Sequence, residues 1–204
     1  MIAFETFLAG ASVGERTMLP ASKARHWHAL ELAKQAVELG GRLSIVSTFT
    51  GLGKTELRQL FCDPDAARRH SGRQPTNWDL SRSVVVEVQA AMFYACFRAI
   101  RQLGYPAADA LVTGFKHYLR HFGHDPRLTF DRAFELVAQI EGCWTARAPS
   151  LMTVVCHHCK SRYLIPRAAE PVGSGECPFC RLARMPKSRI PKAVCAPNGL
   201  TAFD

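Results

Sequence analysis

Residues 79–104 read DLSRSVVVEVQAAMFYACFRAIRQLG, a long pattern in which apolar residues recur at intervals of three and four. The pattern runs from Val84 to Leu103 and stops at a glycine, which is typical of an amphipathic helix ending in a left-handed turn. Downstream, the same periodicity predicts helices over residues 106–122 and 126–144, each with a proline near its first turn. Together the three helices predict the main body of a mainly α protein.

Upstream of this body, apolar residues between Trp27 and Leu39 predict a helix over residues 22–40, closed by Gly40. Residues 43–62 then show helix-turn-helix spacing, because the small residue Ser47 is followed four positions later by Gly51. The apolar positions that would lock its two helices together are Val46, Leu52, Leu57 and Leu60. Residues 62–78 are polar and predict a loop.

The second helix of the 43–62 unit is the candidate DNA-reading element. Its exposed positions are expected to be Lys54, Thr55, Arg58 and Gln59, which suit contacts to base edges in a major groove. The same spacing also occurs in ordinary helical hairpins, where these residues would merely be solvated.

The segment Gly51-Leu52-Gly53-Lys54-Thr55 resembles the end of a nucleotide-binding phosphate loop. The required first glycine is replaced by Thr48, and no buried strand precedes the segment, so the backbone cradle for phosphate is missing. No convincing catalytic set occurs elsewhere. The candidate carboxylates lie at helix starts or on exposed faces, where they complement helix dipoles: Asp79, Glu87, Asp109 and Asp131. We therefore predict that the protein is not an enzyme.

Beyond Pro149 the sequence changes to short β-like runs, turns and cysteines. Cys156, Cys159, Cys177 and Cys180 form a C-x2-C-x17-C-x2-C array, which has the spacing of a four-thiolate zinc site. The segment between the two pairs, including Tyr163–Ile165, is expected to form a short hairpin. A module this small buries little apolar area, so one zinc ion per chain would supply much of its folding free energy.

Other chemistry for these cysteines stays open at this point. An iron–sulfur cluster uses the same ligand type, a single redox pair fits two matched pairs poorly, and His157 or His158 is a second-choice ligand. A closed four-sulfur shell leaves no position for the water of a catalytic zinc. Cys62, Cys96 and Cys143 lie among apolar residues and are expected to fill the core. Cys195 lies in the basic tail and has no assigned role.

The chain of 204 residues carries a formal net charge of +9, which favours an anionic partner such as nucleic acid. Residues 145–204 hold nine Lys or Arg against three acidic residues. Arg181, Arg184 and Lys187 are therefore candidate DNA-contacting cations, although basic runs also serve solubility alone. Without a membrane-length apolar run or an export signal, a cytoplasmic location away from the membrane is expected.

These observations divide the chain into four parts. Residues 1–21 form an N-terminal arm, residues 22–148 a helical body that includes the helix-turn-helix-like segment 43–62, residues 149–185 a zinc-binding module, and residues 186–204 a basic tail.

Over residues 34–187 the sequence resembles the FlhC family, subunits of the bacterial flagellar transcriptional activator. The resemblance lies in Glu38–Leu43, Leu57–Leu60, Thr76–Trp78, Ala90–Phe93 and, most specifically, Pro171–Ser174 with the cysteine pairs. It implies a mainly helical subunit in which Cys156, Cys159, Cys177 and Cys180 bind zinc. It also implies a hetero-oligomer of four FlhD and two FlhC chains that binds promoter double-stranded DNA and recruits RNA polymerase to flagellar genes.

A different class of function remains open beside this one. In this alternative, the chain is a zinc-ribbon assembly subunit that binds protein and contacts DNA only through its partner. A zinc hydrolase or redox protein is a third, less favoured class, because the closed thiolate shell excludes metal-bound water.

Overall fold

The structure, a computed structural model, describes residues 21–61, 83–145, 148–168 and 177–186. Within these ranges lie seven helices and one two-stranded antiparallel sheet. The helices are α1 (Ala21–Glu38), α2 (Leu43–Thr50), α3 (Lys54–Phe61), α4 (Val84–Gln102), α5 (Ala107–Phe122), α6 (Phe130–Glu141) and α7 (Pro178–Arg184). The strands are β1 (Leu151–Val155) and β2 (Arg162–Pro166). The predicted fold class, a helical body with a C-terminal four-cysteine cluster, is confirmed.

The body is an aromatic-rich core formed by α4, α5 and α6, with α1 and α2 packed against it. The ring of Phe115 contacts the rings of Phe93 and Phe130 edge to face, with centroid distances of 6.1 Å and 5.4 Å respectively. Gly114 allows α5 to approach α4 closely, because a Cβ there would lie 3.3 Å from the backbone of Phe97. Buried aromatic side chains of this kind supply much of the apolar area that stabilises a small helical core.

Among the described residues, the amide side chain of Gln89 is fully buried in this core. Gln89 donates to the carbonyl of Asp125 at 3.0 Å, and its own carbonyl oxygen accepts from the hydroxyl of Tyr118 at 2.5 Å and the backbone N–H of Arg127 at 2.8 Å. Tyr118 in turn accepts from the backbone N–H of Leu128 at 2.9 Å. The network satisfies buried polar groups and fixes the connection between α5 and α6 against α4.

Two predicted element boundaries differ from the structure. The helix expected over residues 126–144 occupies only Phe130–Glu141, because Thr129 caps its start by accepting from Arg132 N–H and Gly142 ends it with φ +68°. The predicted hairpin also pairs differently. Tyr163–Ile165 lie in β2, but their partner β1 precedes the first cysteine pair, so the strands flank that pair and do not both lie between the two pairs.

Three apolar residues of the sequence pattern are exposed where packing was expected. Trp27 is 62% exposed, Leu60 55% and Leu103 77%. Trp27 lies in the first eight residues of α1, all of which are exposed, whereas Leu60 and Leu103 lie at or just beyond the C-terminal ends of α3 and α4. The helix predicted from Asp79 is described from Val84 onward. The arm of residues 1–20, the loop 62–78 with Cys62, Asp79, Lys187 and the rest of the tail with Cys195 lie outside the described residues.

The predicted module boundary at residue 149 stays a prediction. Residues on the C-terminal side of it pack against the helical body. Leu151 of β1 belongs to the main core, and Leu164 of β2 packs against it. Leu182 of α7 forms a second small cluster with Val84, Val85 and Val88 at the start of α4. The hairpin and α7 are therefore packed on the helical body.

Candidate metal centre and helix-turn-helix unit

The first cysteine pair lies in the turn between β1 and β2. Val155 pairs with Arg162 as the last rung of the ladder, and Cys156 N–H donates to Ser161 C=O at 2.9 Å. Lys160 N–H then donates to Cys156 C=O at 3.0 Å, with Lys160 in the left-handed region at φ +61°. These bonds close a tight loop that turns Cys156 and Cys159 toward one point.

The second pair lies at the start of α7. Cys177 is the N-cap residue, and its sulfur accepts from the backbone N–H of Cys180 at 3.3 Å. Pro178 occupies the first turn, where its missing N–H costs nothing. Leu182, buried against α4, fixes the helix so that both sulfurs point at the first pair.

The ligand atoms of all four cysteines lie within 4.8 Å of one another. Cys156 Sγ and Cys180 Sγ are 3.9 Å apart, and Cys159 Sγ and Cys177 Sγ are 3.3 Å apart. A tetrahedral zinc ion with bonds of about 2.3 Å places its sulfurs about 3.8 Å apart. The cluster therefore has the size of a four-thiolate metal site.

The local environment separates the four thiols in acidity. The backbone N–H of Cys159 lowers the pKa of the Cys156 thiol to about 6, because a hydrogen bond to sulfur favours the thiolate. At Cys180, hydrogen bonding with the Cys177 side chain raises the pKa to about 12. A bound metal cation would displace the thiol protons, so that all four sulfurs could be present as thiolates.

The geometry bears on the alternatives for the cysteines. His157 and His158 are both exposed, and the cluster consists of the four cysteine sulfurs. Both pairs contribute to a single group, which is unlike an isolated redox pair. Four thiolates complete a tetrahedral shell and leave no open position for a catalytic water.

The helix-turn-helix unit has the predicted geometry. Gly51 ends α2 in the left-handed region at φ +76°, and Ser47 Oγ donates to Leu52 C=O at 2.7 Å across the turn. Leu57 of α3 is fully buried and Val46 of α2 has no exposed surface either. The turn and the two apolar positions hold α3 on α2, as the sequence pattern indicated.

Three contacts with the body fix the orientation of this unit. Arg42, the N-cap residue of α2, donates to Asp131 through its backbone N–H at 3.0 Å and through its guanidinium at 2.9 Å. Next to it, a Cβ on Gly41 would lie 2.8 Å from the Phe130 ring, so only glycine allows this approach. Phe49 then packs against Phe130, Phe134 and Trp144.

Sequence reasoning missed the pairing of Arg42 with Asp131, and it treated Asp131 only as a dipole-complementing residue. The two residues are 89 positions apart, so no local periodicity links them. Glu87 and Asp109 are likewise first-turn residues, as predicted, but pair with Arg181 and His28 respectively.

The predicted DNA-contacting residues of α3 lie on its solvent-exposed side: Lys54, Thr55, Arg58 and Gln59. The remaining candidates are placed differently. Arg181 is exposed but forms an ion pair with Glu87 at 3.2 Å, and Arg184 is exposed at the end of α7. Lys187 lies outside the described residues. The α3 candidates therefore share one helix, whereas Arg181 and Arg184 lie on α7, which packs against the start of α4.

Two of the predicted core cysteines can be located. Cys143 is half-buried and packs against the main core, and burial raises the pKa of its thiol. Cys96 is also half-buried, but it lines a surface groove and not the core. Among the helices of the described ranges, none combines the length and apolar character that crossing a bilayer requires.

With the geometry established, comparison with known proteins identifies the family. A family model described as "Flagellar transcriptional activator (FlhC)" matches residues 18–193. The chain belongs to the FlhC family. The resemblance inferred over residues 34–187 is thus confirmed, and the match extends beyond it at both ends.

Individual FlhC proteins are similar at low identity but over most of their length. The flagellar transcriptional regulator FlhC of Pectobacterium carotovorum is 24% identical over 169 residues, which cover 81% of this chain and 82% of that protein. FlhC of Xenorhabdus nematophila is 25% identical over 169 residues, covering 80% and 81%. FlhC of Variovorax paradoxus (strain S110) is 24% identical over 174 residues, covering 83% and 81%. The FlhC match includes both the helix-turn-helix unit and the four cysteines.

Proposed function

We propose that this protein is a cytoplasmic, DNA-binding subunit of a hetero-oligomeric bacterial transcription activator of flagellar genes. It acts with FlhD, in an assembly of four FlhD and two FlhC chains, at promoter double-stranded DNA, and it recruits RNA polymerase. The observation that carries the proposal is the exposed side of α3, a helix that this FlhC-family chain packs on its core through Leu57.

Zinc is the proposed cofactor, with one ion per chain held by Cys156, Cys159, Cys177 and Cys180. The separations among the four sulfurs support this assignment, since they suit a tetrahedral ion. Zinc in a closed four-sulfur shell is structural. It would hold the β1–β2 turn to α7, and through Leu182 it would anchor that assembly to α4.

We assign different roles in DNA binding to the two groups of candidate residues, because they lie on different helices. Lys54, Thr55, Arg58 and Gln59 project from one helix, a geometry that brings side chains to base edges in the major groove. Arg181, Arg184 and Lys187 belong to the short helix α7 and the segment after it, and are proposed to contact phosphates without reading sequence. A formal charge of +9 supports attraction of both kinds.

Gel-shift assays test the proposal with the chain alone, FlhD alone and the co-purified pair, each on a flagellar promoter fragment and on random DNA of equal length. The co-purified pair is expected to prefer the promoter. Mass measurement of the pair before and after DNA addition checks the stoichiometry. If the promoter preference is unchanged when the exposed α3 residues are replaced by Ala, and the chain alone does not bind the fragments, FlhD alone reads the DNA. The chain is then an assembly subunit.

Metal analysis tests the cofactor separately. One zinc per chain is expected by mass spectrometry of the native protein and by elemental analysis. Iron with a visible charge-transfer absorption would replace the zinc assignment with an iron–sulfur cluster.

A further inference from the structure

A groove of about 580 Å³ runs along α4, bounded by the C-terminal part of α5 and by the β1–β2 hairpin. Its lining on α4 extends from Ala91 to Gln102, which is about 18 Å of helix. Groove volumes of this order accept several side chains of a ligand. Neither the four cysteines nor the exposed residues of α3 belong to it.

The groove is apolar, and one side of it is built from small residues. Ala95 and Ala99 are exposed on α4 one turn apart, with Cys96 half-buried beside them. Tyr163 and Leu164 of β2 line the other side. Small side chains on a helix let a second helix approach closely, and apolar side chains of the second helix can then fill the space.

The charged residues that line the groove are both cations, and one carboxylate lies beside it, because Glu141 accepts from the hydroxyl of the lining residue Tyr94 at 2.6 Å. Arg98 and Arg162 are among its lining residues, and His121 adds a ring N–H that can donate a hydrogen bond. All lining residues fall in the described ranges, and none of them is Asp or Glu. A ligand with carboxylates beside its apolar face would therefore be attracted and oriented.

We propose that this groove docks an acidic amphipathic helix of a partner protein. Apolar residues of that helix, spaced at three and four, would lie on Ala95 and Ala99, and its flanking carboxylates would pair with Arg98 and Arg162. The chain's own basic tail is a poor occupant, since residues 186–204 carry Lys187, Arg189 and Lys192 against Asp204. A second copy of the same basic groove is disfavoured by like charge.

The test uses two fluorescein-labelled synthetic peptides of about 16 residues, both with leucines at helical spacing. One carries glutamates on its polar face and the other carries lysines at the same positions. Fluorescence anisotropy with the full chain is expected to show saturable binding of the glutamate peptide and at least tenfold weaker binding of the lysine peptide. Cys96 lines the groove, so the glutamate peptide should also slow its alkylation, measured by peptide mapping.

Variants locate the binding. Ala99→Glu places a carboxylate on the exposed groove surface and is expected to weaken binding of the glutamate peptide at least tenfold. Thr113→Glu, on an exposed position of α5 outside the groove, is the matched control and should leave binding unchanged. Circular dichroism must show the same helix content in both variants. Arg98→Glu with Arg162→Glu is expected to reverse the preference toward the lysine peptide.

Several results would overturn the inference. Equal binding of the two peptides would indicate unspecific apolar adhesion. An unchanged affinity in Ala99→Glu would place the peptide elsewhere. Binding that appears only after deletion of residues 1–20 would make that segment the natural occupant, and a change from oligomer to monomer in Ala99→Glu would make it a second copy. The proposal is independent of DNA binding, because these assays contain no DNA.

Discussion

The helix-turn-helix unit and the cysteine cluster are of similar size, but they are held by different forces. The unit of α2 and α3 buries apolar side chains such as Val46, Phe49 and Leu57 against each other and the body. The β1–β2 turn and α7 bring four sulfurs together around a space of metal size, with Leu151, Leu164 and Leu182 as apolar contacts to the body. One element thus depends on packing, and the other is expected to depend on an ion.

The largest effect should come from removing one sulfur. Cys177→Ser is expected to abolish metal binding and unfold the cysteine module, because a structural zinc contributes on the order of 10 kcal/mol to a site of this kind. Elemental analysis should show loss of zinc, and limited proteolysis should cleave residues 151–186 while α1–α6 persist. Cys96→Ser, a thiol in the α4 groove, is the control and should retain the metal. Full zinc content in Cys177→Ser would mean that the four-thiolate assignment is wrong.

Packing in the helix-turn-helix unit can be broken without touching the metal. Leu57→Ala removes a fully buried side chain and is expected to cost about 2 to 5 kcal/mol of unfolding free energy. Leu60→Ala, on the same helix but 55% exposed, should change stability by less than about 0.5 kcal/mol. Urea denaturation monitored by circular dichroism measures both. Similar losses in the two variants would contradict the burial difference between these residues.

DNA recognition sharpens the comparison, since only the packed unit is proposed to read bases. Arg58→Ala is expected to cost about 1 to 3 kcal/mol on promoter DNA and much less on random DNA. Arg120→Ala, an exposed cation on α5, serves as the control and should leave the promoter-to-random ratio unchanged. If Arg58→Ala also leaves that ratio unchanged, α2 and α3 form a packing hairpin and not a reader.

The smallest effect concerns the contact between the cysteine module and the body. Glu87→Gln weakens the ion pair with Arg181, whose side chain is 42% exposed. Such a pair near solvent contributes at most about 1 kcal/mol, so stability should fall only slightly and zinc content should stay constant. A double-mutant cycle with Arg181→Met measures the coupling. Loss of zinc in Glu87→Gln would show that this contact positions the metal site.

The sequence predicted those features that repeat locally. Helical periodicity located all three body helices, the Ser47–Gly51 spacing located the turn between α2 and α3, and cysteine spacing located the four-sulfur cluster. Sequence patterns did not predict features that depend on residues far apart in the chain or on a single capping side chain. The capping hydroxyl of Thr129 sets the start of α6 more sharply than the proline pattern suggested.

Long-range contacts were beyond local patterns for the same reason. Asp131 pairs with Arg42 from far along the chain, and β1 pairs with β2 across the first cysteine pair. The sequence pattern also did not predict which apolar residues are exposed, because Trp27 and Leu60 follow the apolar period but lie on exposed stretches of α1 and α3. The assignment of DNA-contacting residues remains a prediction that only binding experiments can test.

The hydrogen bonds of the buried Gln89 amide restrict which substitutions the core can tolerate during evolution. The amide bonds at once to the hydroxyl of Tyr118 and to main-chain groups of Asp125 and Arg127, so an apolar replacement at position 89 would strand several polar groups in the core. Tyr118→Phe alone would strand the N–H of Leu128 in the same way. The two positions are therefore expected to co-vary: relatives that lose the glutamine should also have lost the tyrosine, and should have rebuilt the link between the second and third body helices.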